Sequence, residues 1–276
     1  MTIRLLVLIL ILIAILVFAL KYIEAWGIFF PTKDIGWYPS DVNMPFEDIY
    51  AKTKDGATVN GWFIPREGAR YTLLFFHGNA GNIQHRLDKM LMLWESGLNI
   101  FIIDYRGFGK SEGRMTEEGF YIDADTAYGY LVKTRGIKPE EIIIYGESLG
   151  TAVAVDLASR ARAAGVILEG AFSNGRDMAK KIYPFFPGFI FSNKFNSLKK
   201  IKASAMPKLF IHSVDDEIVP FAFARKLYQA APGPKEFAEL SGGHNTCFMD
   251  SREKYISSIT GFIRRIHEGK DILPSY

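Results

Sequence analysis

The sequence predicts an α/β domain built on a mostly parallel, eight-stranded sheet with helices on both faces, preceded by one apolar helix. Three observations carry this prediction. From Tyr71 onward, short β-rich runs alternate with longer stretches of helical spacing, the pattern of a parallel sheet with crossover helices. Upstream, two strand-like runs flank Asp55-Gly56, a strong hairpin signal. At the N-terminus, Leu5 to Leu20 contain neither a charge nor a polar side chain.

The N-terminal run lies between Arg4 and Lys21. A helix of that length rises about 24 Å, a little short of a ~30 Å hydrocarbon core. Tyr22, Ile23, Trp26, Phe29 and Phe30 extend the apolar length and supply an aromatic belt. A run apolar on every face does not suit a helix packed on one side of a soluble domain. Two readings remain: an uncleaved single-pass membrane anchor over residues 1–25, and a secretory signal peptide cleaved near Ala25, which would release a secreted domain. The length of the run and the lack of an A-x-A-like site favour the anchor. Arg4 and the terminal amine place the N-terminus on the cytoplasmic side, with Lys21 and Lys33 opposing. Residues 26–45 then read as a linker, 46–268 as the folded domain and 269–276 as a C-terminal tail.

Within the domain, Ile49-Tyr50-Ala51-Lys52 and Thr58-Val59-Asn60-Gly61-Trp62-Phe63 form the hairpin. Further strands are expected near Tyr71, Ile100, Ile142, Val166, Lys208 and Lys235. Helices are expected over 86–95, 117–133, 148–163, 221–230 and 251–267. In the last of these, Tyr255, Ile256, Ile259, Phe262, Ile263 and Ile266 recur at helical spacing and should cover the sheet. The interval 172–207 interrupts the alternation with an aromatic stretch, Tyr183 to Phe191. It reads either as a short lid over an apolar pocket or as a packed loop with one short helix. Lys194, Lys199, Lys200 and Lys202 lie nearby and suit either solvent or anionic headgroups.

The chemistry concentrates at Gly146-Glu147-Ser148-Leu149-Gly150, between the apolar run Ile142 to Tyr145 and a helical stretch. G-x-S-x-G is informative in this strand–turn–helix setting, where the turn lifts the serine hydroxyl above the sheet. A serine needs a base to take its proton and an acid to orient that base. In hydrolases with this turn, the chain order is Ser, acid, His. Among five histidines, His244 alone lies downstream of both Ser148 and a loop acid, on the glycine-softened segment Ser241-Gly242-Gly243. His77 reads as loop-shaping, His212 as a core residue, and His85 and His267 as surface residues. For the acid, Asp216 leads because Val219-Pro220 opens the next helix just beyond it; Asp215 and Glu169 are the alternatives. The oxyanion donors are expected to be the backbone N–H groups of Leu149 and Asn79, the latter in the loop His77 to Asn82.

With these pieces in place, the chain resembles the α/β-hydrolase superfamily, and within it the Bem46-like group. The resemblance rests on Phe75-Phe76-His77-Gly78-Asn79-Ala80-Gly81-Asn82, on Asp104 to Gly113, on Gly146 to Gly150, on Asp216 to Pro220 and on Gly243-His244-Asn245. It covers the chain from about Phe46 to the last helix. It implies the α/β-hydrolase fold and a serine hydrolase with Ser148, Asp216 and His244 as its triad. It also implies a small-molecule or lipid-like acyl ester substrate, or an acylated protein, cleaved as an ester or thioester. The block Asp104 to Gly113 is expected to shape a loop, with Arg106 paired to a carboxylate.

Composition bounds the alternatives. A net charge of +3, with no basic cluster interleaved with aromatics, gives no basis for nucleic-acid binding. A single cysteine, Cys247, rules out an internal disulfide and reads as a buried thiol. No metal-ligand spacing and no phosphate-binding loop occur, so neither metal nor cofactor is expected. The competing functions are a serine peptidase of the same fold and a non-catalytic, membrane-tethered binding protein.

Overall fold

A computed structural model describes residues 3–26, 29–185 and 194–269. Its central sheet has eight strands: β1 (Glu47–Lys52), β2 (Thr58–Ile64), β3 (Thr72–Phe76), β4 (Asn99–Ile103), β5 (Ile142–Glu147), β6 (Gly165–Glu169), β7 (Lys208–Ser213) and β8 (Lys235–Leu240). Their spatial order is β8-β7-β6-β5-β3-β4-β2-β1. β1 and β2 are antiparallel, β2 joins β4 antiparallel, and the remaining pairs are parallel.

Alternation along the strands sends side chains to two cores. Leu74, Phe76, Phe101, Ile144 and Leu168 face one side, where α3 (Glu117–Gly129), α4 (Leu149–Ala158) and α6 (Phe221–Ala230) cover them. Leu73, Phe75, Ile100, Ile143 and Ile167 face the other, under α2 (Leu87–Glu95) and α7 (Arg252–Glu268). Tyr255, Ile259 and Phe262 of α7 are buried there. Near-continuous apolar strands are what a sheet covered on both faces requires. Two helices end earlier than their periodicity suggests. α3 passes into a π turn over Tyr130–Thr134, and α4 stops at Ala158 with Ser159 as its cap.

Ahead of the domain, α1 runs unbroken over Ile3–Trp26, and its described apolar side chains from Ile3 to Leu16 stand exposed. The expected span Leu5–Leu20 falls inside this helix. The side chains of residues 17 and 19–26 lie outside the described residues, and among the described residues no helix is long and apolar enough to cross a membrane. The segment expected as a linker is not a free tether. Phe29 is buried in the core against Phe120 and Phe195, and Phe30–Pro31 pairs in parallel with Ala80–Gly81. An apolar side chain that close to a cavity wall gains more from burial than from solvent. The interruption after β6 contains α5 (Gly175–Ile182), while residues 186–193 and the tail 270–276 lie outside the described residues.

Candidate active site

Ser148 stands between β5 and α4 with φ 50° and ψ −115°, a conformation that costs a non-glycine residue energy. The surroundings hold it there. Its N–H donates to the Glu169 carbonyl at 2.8 Å, and the Thr151 hydroxyl donates to its carbonyl at 2.6 Å. The turn closes only because its flanking residues lack side chains. A Cβ on Gly150 would lie 2.0 Å from the Phe76 carbonyl oxygen, and one on Gly146 would lie 2.4 Å from that of Gly150.

His244 follows β8 on the expected loop. Its Nε2 lies 3.0 Å from Ser148 Oγ, and its Nδ1 lies 2.7 Å from Asp216 Oδ2. Asp216 follows β7, with only 2% of its side chain exposed. Burial works against its charged form, but hydrogen bonds from His212 and His244, and the Val219 N–H, hold the carboxyl well below the usual carboxylate range. The Ile218 and Val219 N–H groups donate to Oδ1 at 2.9 and 2.7 Å. An ionised carboxylate only accepts, so Nδ1 of His244 carries the proton and Nε2 turns its lone pair to the serine hydroxyl.

Two further contacts orient the imidazole. The His244 N–H donates to Glu217 at 3.0 Å. Gly170, with φ +63°, lies so close that an added Cβ would stand 3.1 Å from His244 Cε1.

The other acid candidates are used elsewhere. Asp215 accepts the Gly242 N–H at 3.1 Å and so pins the histidine loop. Glu169 is buried beneath the site, where it accepts from Lys89 at 2.7 Å, from Tyr255 at 3.1 Å and from Tyr145. Asn79 and Leu149 line the same cavity as Ser148, and a Cβ on Gly78 would lie 3.5 Å from Ser148 Cβ. His212 is buried, with Nε2 2.9 Å from the Val219 carbonyl oxygen and 3.3 Å from Asp216 Oδ2. His77 is fully buried beside Asp104 at 3.3 Å, while His85 and His267 are exposed. Arg106 pairs with two carboxylates, Asp123 at 2.8 Å and Asp55 at 2.7 Å. Cys247 is buried, and burial pushes its thiol up to about 12, too high for a nucleophile at neutral pH.

One group escaped the sequence reading. Glu147, inside the G-x-S-x-G motif, accepts from Arg86 at 2.6 Å and from Lys89 at 2.7 Å. Burial opposes its charge, yet these two cations hold its carboxyl well below the usual range. Lys89 bridges Glu147 to Glu169, and its ammonium lies over the Phe248 ring at 4.5 Å. The available signal was Lys89 itself, a charge on the face of α2 that also carries Met92 and Leu93.

Above the serine opens an apolar cavity of about 290 Å³. Its walls include Phe29, Phe172, Met178, Phe195 and Val219, and among the described residues no acidic or basic side chain lines it.

Comparison with known proteins agrees with this architecture. The chain is 33% identical over 250 residues to the α/β-hydrolase domain-containing protein WAV2 of Arabidopsis thaliana, covering 82% of this chain and 81% of that protein. The chain belongs to the α/β-hydrolase superfamily, in its Bem46-like group. Protein bem46 of Schizosaccharomyces pombe is 36% identical over 195 residues, which cover 66% of this chain and 64% of the yeast protein. A family model described as serine aminopeptidase, S33, matches residues 67–199. Among solved structures, the Pyrococcus furiosus esterase Pf2001 superposes with a TM-score of 0.73 at 20% identity, over 86% of this chain and 98% of that one. An α/β hydrolase from Vibrio vulnificus gives 0.70 at 21% identity, over 83% and 88%. At such identities these structures speak for the fold. As a member of this superfamily, the chain is a hydrolase.

Proposed function

We propose that this hydrolase is a membrane-anchored serine enzyme that cleaves carboxylic esters or thioesters with apolar acyl groups. The observation that carries the reading is the continuous Ser148–His244–Asp216 hydrogen-bonded line, at 3.0 and 2.7 Å, opening into an apolar cavity. Ser148 Oγ attacks the acyl carbon as its proton passes to His244 Nε2. The carbonyl oxygen becomes negative and is held by the Leu149 and Asn79 backbone N–H groups. The bond to the alcohol or thiol breaks, and that leaving group takes the proton from His244. A water then gives a proton to His244 and attacks the acyl-enzyme; the acyl–Oγ bond breaks, Ser148 Oγ takes that proton back from His244, and the carboxylic acid leaves. Asp216 stays ionised throughout and stabilises the imidazolium.

Membrane anchoring is supported by the charge-free run Leu5–Leu20 inside the unbroken helix α1, with the N-terminus cytoplasmic. The rival is a secreted enzyme with a cleaved signal.

The description of the matching family model favours a peptidase reading. Selection for a free α-amine would call for a carboxylate beside the serine, and among the described residues that line the cavity there is none. A non-catalytic binding protein would not need a histidine within hydrogen-bond reach of a strained serine. Labelling by a fluorophosphonate, followed by a screen of acyl chain lengths and of aminoacyl amides, tests the readings. Wild-type protein that takes no label and cleaves none of these substrates would overturn the hydrolase mechanism.

A further inference from the structure

Exposed apolar side chains are ordinary when scattered. Here they converge on one opening. Phe30 is 62% exposed, Ile182 60% and Ile218 43%, and all three also line the Ser148 cavity. Phe185, just past the end of α5, is 95% exposed. α5 itself is two-sided: Met178, Ala179 and Ile182 face the cavity, while Lys180 and Lys181 are exposed. The Lys181 ammonium donates to the Ile218 carbonyl at 2.7 Å, tying two sides of the rim together.

The chain also limits where this opening can be. α1 ends at Trp26, and Phe29 is already part of the cavity wall. Three residue steps reach no more than about 11 Å. The cavity wall therefore lies within that distance of the end of α1, whatever the orientation of the helix.

We propose that this apolar rim seats on a lipid bilayer containing anionic headgroups, and that the cavity receives its acyl chain directly from the bilayer. The inference rests on the reading of Ser148 as the acyl acceptor and of α1 as a membrane anchor. Apolar side chains flanked by the exposed Lys180 and Lys181 of α5 match an interface that is hydrocarbon below and negatively charged above. An acyl chain that slides from bilayer to cavity is never exposed to water, so its transfer costs little.

The test uses the full chain in vesicles of phosphatidylcholine with phosphatidylglycerol. Cys247 is buried, so a Phe185→Cys variant accepts a polarity-sensitive maleimide dye at position 185. The dye is expected to shift to shorter wavelength and to be quenched by nitroxide-bearing lipid. A dye that emits as in water and escapes quenching overturns the proposal, whatever the enzyme's activity. In parallel, Phe185→Asp is expected to lower hydrolysis of a long-chain ester dissolved in the vesicles about tenfold. Its rate on a water-soluble butyrate ester should stay within about twofold of wild type. Equal losses on both esters, or none on either, overturn the bilayer route. If wild type cleaves neither ester, the hydrolase reading falls, and the dye still reports whether the rim meets lipid.

Discussion

Glu147 accepts a hydrogen bond from the Gly78 N–H at 3.3 Å, which joins the turn that carries the serine to the loop that carries Asn79. The same carboxylate is held by Arg86, whose guanidinium also donates to the Ala80 carbonyl at 3.3 Å. The backbone on both sides of Asn79 is thus fixed by one ion pair. An oxyanion donor is useful only if it is held in place before charge develops. Arg86→Gln releases the Ala80 contact while Lys89 still pairs with Glu147. It is expected to lower kcat on a short soluble ester about tenfold with KM little changed. Arg86→Lys should recover part of the loss. Steady-state kinetics, with thermal melts to confirm folding, check this; an unchanged kcat for Arg86→Gln would remove the pair from the mechanism.

Ser148→Ala should reduce ester hydrolysis by about 10⁴-fold or more, with the circular dichroism spectrum unchanged. The substitution removes the hydroxyl that faces His244 Nε2 and leaves the packing of α4 intact. Activity within about tenfold of wild type would refute the assignment.

Asp216 and Asp215 are adjacent but have different partners, His244 for one and the Gly242 N–H for the other. Asp216→Asn should cost about 10⁴-fold in kcat, because an amide donor favours the wrong imidazole tautomer. Asp215→Asn should stay within about tenfold, since it perturbs only the loop. The reverse order of damage would reassign the acid.

Lys208 is fully buried at the start of β7, where its ammonium donates to the Met206 and Pro232 carbonyls at 2.8 and 3.1 Å. Burial, with Lys235 nearby, pushes it down to about 8 from 10.5. Below about 8 it is protonated both folded and unfolded, so the folded state bears the full cost of its charge. Between about 8 and 10.5 the unfolded chain binds more protons, so this group's contribution to stability rises with pH. Relative to Lys208→Met, wild type should gain up to about 3 kcal/mol across that window in urea unfolding. A difference that stays constant with pH would contradict the shift.

Removing residues 1–25 should release a soluble protein that still hydrolyses short esters, because the site lies wholly downstream. Carbonate extraction should leave the full chain in the membrane pellet. A mature chain that begins near Trp26 and is found in the soluble fraction would replace the anchor with a cleaved signal.

Much of this protein is decided by local chemistry and is therefore legible in one dimension. Apolar strand runs, hairpin chemistry at Asp55-Gly56 and helical spacing in Tyr255 to Ile266 specify the layers, because each pattern has one way to bury its face. Gly146 to Gly150 likewise specifies the turn, since larger residues at its ends would strike backbone. The order Ser148, Asp216, His244 then follows from loops at successive strand ends. What needed the tertiary structure was anything between residues far apart in sequence. Which of Asp215 and Asp216 faces His244 depends on the direction of side chains on one short loop. That Glu169 sits beneath the site with Lys89 depends on β6 lying beside β5 and α2 above them. The burial of Phe29 was hidden for the same reason: an apolar residue after an apolar helix reads as part of that helix. Only the fold provides the cavity wall against which its burial is favourable.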